Sequence, residues 1–516
     1  DDVESRGLGD VYKRQVKLTW YYGLGSLYDS CNENGYYDPS VIGDGKAYGP
    51  RDWGPSLKVD KDATAFIAED LVLENSYNKY YTQEELIDIV SVDPDPNNGN
   101  FHRVEWINEQ ISNGVSDDAI NKLLQSRKDI TYKGVTGSPR ERCAAIHVSA
   151  DKVQFINCDV VSTQDSIGIN TGRMYFKNCR LGGTTDYICG SATAVFDNCE
   201  LYTNAGPSAA ESATITAPSS TVDKEGYLFF NCHITGSSTS TSGSLGRPWG
   251  ANGGPAAHYI NTIIDDAGSG GGKLIGKAGW SSMSDNKPED ARFGEYNSLD
   301  RSGNTIDISG RTKNTVLNEW TMLRYNPLTF TLGNDNWDPA GLSDTYAGVN
   351  NVLNSTTIDT SDGTTNEIVL PQAPSGYEFK WESVSEFATV GSDGKKVTLI
   401  RPAYGEKPID ATIKLYVRES GNKEIGAEKS IKFNIQPTSD TENVFTVKGT
   451  VTLSKVSETD QTINIKFQSG EAVIKTASVV IPAGQISQSY IVENLPVGSY
   501  AVSYTHLRAH ETRRHL

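Results

Sequence analysis

The chain has 516 residues and a net charge of -18, with glycine, serine and threonine plentiful and methionine scarce. That length makes two or three domains with real cores. The acidity argues against a nucleic-acid partner, because binding phosphate needs basic surface, but it leaves room for an acidic polysaccharide in a locally neutral or basic groove. No apolar run is long enough to span a membrane.

In chain order, residues 1–15 show no strand alternation, and neither do residues 503–516, where the last eleven residues hold three of the seven histidines. Both ends resemble translated read-through of sequencing adapters and are left out of the fold reading. The natural protein is then expected to continue beyond both ends. Residues 16–76 read as strands and turns ending in AFIAEDLVLENS, where Asn75 is expected at the corner of a repeat. Residues 77–139 break the pattern as a partly helical insertion. Thr82 and Glu85 have capping-box spacing, and Ile120, Leu123 and Leu124 share one helical face.

From residue 140 a repeat takes over. VQFINC, MYFKNC, AVFDNC and LFFNC end at Cys158, Cys179, Cys199 and Cys232, and YINTII extends the series through Asn261. The first three cysteines are spaced 21 and 20 residues apart, within the range of solenoids built from short strands. A coil that short has no room for a strand-helix-strand crossover, so its strands wind into a parallel β-helix. Coils are expected to run to about Trp337. Four of the seven cysteines occupy the same repeat position, and no CxxC spacing occurs, so they read as an inward ladder of thiols rather than as disulfides or a metal site. The neighbouring asparagines read as satisfying turn backbone.

Beyond residue 349 the spacing changes to strands of about ten residues separated by turn signals, as in a β-sandwich. The expected organisation is a β-helix over residues 16–345, one sandwich over 349–437, and a second, shortened one over 443–502. Trp381 is the one aromatic in these modules that suggests a carbohydrate platform.

The repeat also positions chemistry. Asp165 lies eight residues after Asn157 and Asp186 eight after Asn178, so the two carboxylates fall at equivalent points on adjacent coils, about 4.8 Å apart along the stack. Turn caps or Ca²⁺ ligands would also fit such residues. Gln164 adds an amide beside Asp165, Tyr187 follows Asp186 into a Gly190 bend, and Arg247-Pro248-Trp249 supply a cation and an aromatic surface. An arginine beside one of two close carboxylates keeps that one ionised while the other retains its proton, which divides the pair into base or nucleophile and acid.

At these residues the sequence resembles the pectin methylesterases (pectinesterases), whose QDT, DFIFG and LGRPW motifs are matched by Gln164-Asp165-Ser166, Asp186-Tyr187-Ile188-Cys189-Gly190 and Leu245-Gly246-Arg247-Pro248-Trp249. The resemblance covers about residues 60–340, including FGEY at 293–296, and the C-terminal part resembles bacterial Ig-like modules. It implies a right-handed parallel β-helix that removes methyl esters from the galacturonates of pectin (homogalacturonan), as a monomer and with no metal or organic cofactor. Asp186 would be the nucleophile, Asp165 the general acid and then base, Arg247 the group orienting Asp186, and Gln164 an oxyanion donor. Trp249 would stack on a sugar, with Tyr187 lining the groove. Accessory sandwiches on such an enzyme suggest an exported product, secreted or held at a bacterial surface or in the periplasm.

Three positions depart from the family pattern. Arg142 stands where a glutamine is usual and is expected either to contact substrate or to pair with Asp165. Ser166 replaces threonine, and Cys189 replaces phenylalanine. Trp280 is a second candidate sugar platform, with a packed β-helix edge as the alternative. The scattered His102, His147, His233 and His258 read as surface or core residues, and AGSGGGKL near Gly268 lacks the first glycine and final hydroxyl residue of a phosphate loop. A β-helical polysaccharide lyase and a non-catalytic binding or adhesive protein remain the competing readings.

Overall fold

The computed structural model describes residues 16–92, 103–125, 130–137, 142–204, 213–237, 242–250, 253–266, 274–360, 364–439, 444–496 and 499–506. Residues 1–15, His102, glycine-rich residues 267–273 and residues 507–516 lie outside them. The chain divides into two compact units, residues 1–345 and 346–516.

The first unit is a parallel β-helix with three sheets. Its first sheet stacks Val16–Trp20, Leu71–Asn75, Asp159–Val161, Arg180–Gly183, Glu200–Thr203, His233–Gly236 and Ile263–Ile264. The second stacks Leu57–Val59, Ile146–Val148, Ile167–Ile169, Thr185–Gly190, Thr214–Pro218 and Ser244–Gly246, and the third runs from Ile67–Glu69 to Arg292–Tyr296. Every pairing between these strands is parallel and joins one coil to the next. Inside, Phe155, Phe176, Phe196, Phe229 and Tyr259 stack ring on ring at 4.2–4.9 Å. Cys158, Cys179, Cys199 and Cys232 are buried free thiols alongside them, and Cys179 Sγ donates to Phe155 O of the coil below at 3.3 Å. A side chain one coil away thus acts as the packing neighbour, which is why a 20-residue period suffices to build a core.

The corner between the third and first sheets explains the Asn-Cys repeat. Asn157, Asn178, Asn198, Asn231, Asn261 and Asn297 all have φ of 52–56°, a left-handed conformation that asparagine tolerates better than most residues. Their amides form a ladder: Asn198 donates to Asn178 at 2.7 Å and Asn178 to Asn157 at 3.4 Å. Asn75 is not part of it. Register pairs Ile156 with Glu69 and Val161 with Glu74, so the corner residue of that coil is left-handed Asp70. Asn75 ends the next strand, where its amide donates to Tyr22 O, Gly54 O and Ala144 O.

The coils also end earlier than the spacing suggests. Their last strand is Arg292–Tyr296, where Glu295 accepts from Arg311 Nε and Nη2 at 2.6 and 3.0 Å in a buried pair. Later residues return along the third sheet, where Tyr325 stacks on His258 at 3.8 Å and Asp335 pairs with Arg173 at 2.7 Å.

Chain length is added mainly at the corner from the first to the second sheet. Residues 21–56 leave the first coil there, and residues 76–145 leave the second. In the latter insertion Thr82 caps Gln83–Asp88, accepting from Glu85 N at 3.1 Å. Glu85 does not close the capping box; its carboxylate is buried against Arg103 Nε at 2.8 Å. Helices Arg103–Ser112 and Asp117–Gln125 follow, with Ile120 and Leu124 buried and Leu123 exposed.

The second unit is antiparallel. Tyr377–Ser383, Ile409–Glu419 and Gly426–Ile435 form one sheet, and Glu367–Val369, Lys396–Leu399 and Ala388–Val390 another, closing over a shared core as in a β-sandwich. Trp381 is buried in that core and offers no platform. Val444–Thr452 pairs with Ser487–Pro496, and Gln461–Ser469 with Ala472–Ile481 and Ala501–His506, around a second core. Residues 503–506, read as foreign from the sequence, therefore continue a paired strand.

Candidate active site

The outer face of the second sheet carries the site. Alternation turns Ile146, Ile167 and Ile188 into the core and leaves Lys58, His147, Gly168, Cys189 and Ala217 in register as an outward row across five coils. Asp165 lies at the corner just before this row, and the register of Ile167 with Ile188 sets Asp186 directly beside it. Asp165 N donates to Thr185 O at 3.1 Å.

Both aspartates are left-handed, with φ of 56° and 51°, a conformation that aspartate, like asparagine, adopts more readily than most residues. A register shift between Thr185 and Ile188 adds one residue to that strand relative to Thr214–Pro218. This bulge re-aims Asp186. Asp165 and Asp186 are 7% and 1% exposed respectively.

Their surroundings differ sharply. Asp186 accepts from Arg247 Nε at 2.8 Å, from Arg247 Nη2 at 2.5 Å and from Trp249 Nε1 at 3.2 Å. Three donors, two of them on a cation, suit an ionised carboxylate. Asp165 has no such donor among the described residues. Burial first, and then the charge of Asp186, push its carboxyl up to about 7, against weaker opposition from Arg142 and Arg247. The pair is therefore asymmetric, a carboxylate clamped by a cation beside an acid poised to hold a proton.

Part of the chain is similar in sequence to known proteins. Residues 119–333 match the family model described as Pectinesterase. Over those residues the chain is similar to the pectinesterases. Similar relatives include "Putative pectinesterase 11" of Arabidopsis thaliana, 35% identical over 159 residues (30% of this chain, 40% of the relative). "Pectinesterase 1" of Citrus sinensis is 31% identical over 194 residues (36% and 31%). Among solved structures, "Pectin methylesterase PemA from Erwinia chrysanthemi" is 20% identical over 63% of this chain and 81% of that one, with a TM-score of 0.41. The chain spans half or less of the length of such curated relatives. No helix among the described residues is long and apolar enough to cross a membrane.

Within this β-helix the structure brings Gln164, Asp165, Asp186, Arg247 and Trp249 together. Gln164 is half-buried beside Asp165, and Trp249 is 44% exposed, so its indole N–H engages Asp186 while its ring meets solvent. Arg142 is half-buried, and its charge reaches Asp165 and Cys189; among the described residues no ion pair joins it to Asp165.

Two expected groove residues are elsewhere. Tyr187 is fully buried in the β-helix core, because the bulge that turns Asp186 outward sends the next side chain in. Trp280 is 4% exposed, stacked on Phe293 at 4.4 Å and edge-on to Tyr259 at 5.8 Å, so it is a core aromatic and no sugar platform. His258 is buried, its imidazole pushed down to about 3 by burial and then by Arg324 and Arg292. His233 bonds Asp265 at 2.7 Å.

Sequence reasoning missed Trp53. The insertion of residues 21–56 brings this ring over the outward row, where a Cβ at Gly168 would lie 3.1 Å from it, and its edge meets His147 at 6.0 Å between centroids. No local pattern announces it, since 115 positions separate Trp53 from Gly168. The one available signal is DWG: Asp52, Trp53 and Gly54 are all left-handed, and a conformation so costly for tryptophan marks a constrained turn.

Proposed function

We propose that this protein is a pectin methylesterase that hydrolyses the C6 methyl esters of polygalacturonate to methanol and free carboxylate. The observation that carries this reading is the asymmetric acid pair, with Asp186 clamped by Arg247 and Trp249 and Asp165 raised to about 7 beside it. The Asp186 carboxylate attacks the ester carbonyl carbon. As the tetrahedral intermediate collapses, the bond to the methoxy oxygen breaks and Asp165 gives that oxygen its proton, releasing methanol and leaving an acyl-enzyme. Asp165, now ionised, takes a proton from water, whose oxygen attacks the acyl carbon; Asp186 departs as carboxylate and Asp165 is again protonated.

Arg247 orients the nucleophile, the Gln164 amide is the candidate donor to the oxyanion, and the exposed Trp249 ring supplies a stacking surface for a sugar. Arg142 adds positive charge on the Asp165 side. Pectin is a wall polymer, so this reading implies work outside the producing cell. The test is methanol release from highly esterified pectin by the full chain and by its Asp186→Asn and Asp165→Asn variants, with folding checked by circular dichroism. The wild type should release methanol and Asp186→Asn should lose activity by ~10⁴-fold or more. A well-folded wild type that releases none contradicts the reading.

A further inference from the structure

At the first-to-second-sheet corner of the first coil, two coils before Asp165, lies a cavity of about 270 Å³ lined by Trp20, Tyr22, Tyr36, Tyr37, Arg51 and Lys58 among others. It is built by the insertion of residues 21–56, which precedes the part of the chain matched by the family model. We propose that this cavity is a subsite for a carboxylated sugar unit, gripped by Arg51 against aromatic walls. The proposal rests on the polygalacturonate reading for the identity of its ligand.

The walls are fixed in advance. Asn32 Oδ1 accepts from Asn34 N and Tyr36 N at 3.0 and 3.2 Å, closing the turn that carries Tyr36 and Tyr37. Arg51 N donates to Gly35 O at 2.9 Å, an approach that only glycine permits, since a Cβ at Gly35 would lie 2.7 Å from Arg51 Cβ. Trp20 meets Tyr37 edge-on at 5.0 Å. The half-exposed Tyr37 ring offers a flat apolar surface that suits the C–H face of a sugar, and pre-set walls reduce the ordering cost of binding.

Both charged residues that line the cavity are basic. Lys58 is committed: it pairs with Asp52 at 2.9 Å, bonds Tyr36 Oη and lies 4.4 Å over the Tyr36 ring. Arg51 is exposed at the rim and has no counter-ion among the described residues. A free guanidinium beside ring faces matches a carboxylate on a sugar, which it binds through two parallel N–H donors. A neutral methyl ester offers that fork much less.

Position ties the cavity to the acid pair. Lys58 stands in the same outward row as His147, Gly168 and Cys189. Two coil spacings separate that strand from the one that follows Asp165, about 10 Å along the stack. A polymer lying along this face with an ester at the acid pair would bring a nearby unit to Arg51, and a unit already free of its methyl group would bind there best.

The test is calorimetric titration of the full chain and its Arg51→Ala and Tyr37→Ala variants with fully de-esterified hexagalacturonate, and with neutral maltohexaose for comparison. Arg51→Ala should weaken hexagalacturonate binding by about tenfold or more, Tyr37→Ala should weaken it less, and maltohexaose should bind the wild type far more weakly. Hexagalacturonate affinity unaffected by Arg51→Ala overturns the subsite, as does equal affinity for the neutral sugar. Methanol release, assayed in parallel, separates the two readings. Arg51-dependent binding without methanol release sustains the subsite and removes the esterase, whereas methanol release with Arg51-independent binding does the reverse.

Discussion

Two corners of the coil use the same backbone trick for opposite ends. Between the third and first sheets, six asparagines take φ of 52–56°, and five of them join amides with a neighbouring coil. Between the first and second sheets, Asp165 and Asp186 take φ of 56° and 51° on adjacent coils. An amide both donates and accepts, so stacked asparagines stabilise one another. Stacked carboxylates only accept when ionised, so one of them must keep a proton or find cations. The left-handed residue is a fastening at the first corner. At the second it is the origin of an asymmetric pair.

Substitutions at the two corners sharpen this contrast. The largest effect is expected at Asp165. Folded, its carboxyl keeps a proton up to about pH 7, whereas an unfolded aspartate releases it near 3.9. Between those values the folded state holds the extra proton, so the contribution of Asp165 to stability is fully present below about pH 4, falls as pH rises and is lost above about pH 7. Asp165→Asn should therefore gain roughly 4 kcal/mol relative to wild type on going from pH 3 to pH 8, as read by denaturant unfolding at the two pH values. A pH-independent difference would mean that the corner tolerates its charge.

Next comes the clamp. Arg247→Lys keeps a positive charge but loses the fork on Asp186, and should lower kcat for methanol release by about a hundredfold with a smaller change in KM. An unchanged kcat would mean that charge alone suffices. The smallest effect belongs to the asparagine corner, where Asn198→Ala should cost about 2 kcal/mol from the left-handed backbone and the lost amide bonds. Asn198→Gly should recover the backbone share, and methanol release should remain in both.

Much of this was legible in the sequence because the coil repeats. Counting eight residues from Asn157 and Asn178 is enough to bring Asp165 and Asp186 side by side, since each coil copies the path of the last. Legibility ended where a copy was imperfect. The bulge in Thr185–Gly190 reverses the direction of Tyr187, and Trp280 joins the core in a coil whose second-sheet segment is reduced to an isolated bridge with Gly246. Asn75 resembles a corner residue but ends a strand, because Asp70 takes the corner five positions earlier. Arg51 carried no readable signal, and Trp53 only the faint one of the DWG turn: both are placed by an insertion whose path depends on tertiary contacts.

The central claim is that Asp165 is the proton-holding member of the pair because Asp186 sits ionised beside it in a buried site. It is tested most directly by following the Asp165 carboxyl carbon by ¹³C NMR across a pH titration, in the wild type and in Asp186→Asn. The account predicts a midpoint near 7 in the wild type and a lower one once the neighbouring charge is removed. A wild-type midpoint near 4, the ordinary carboxylate value, would contradict it.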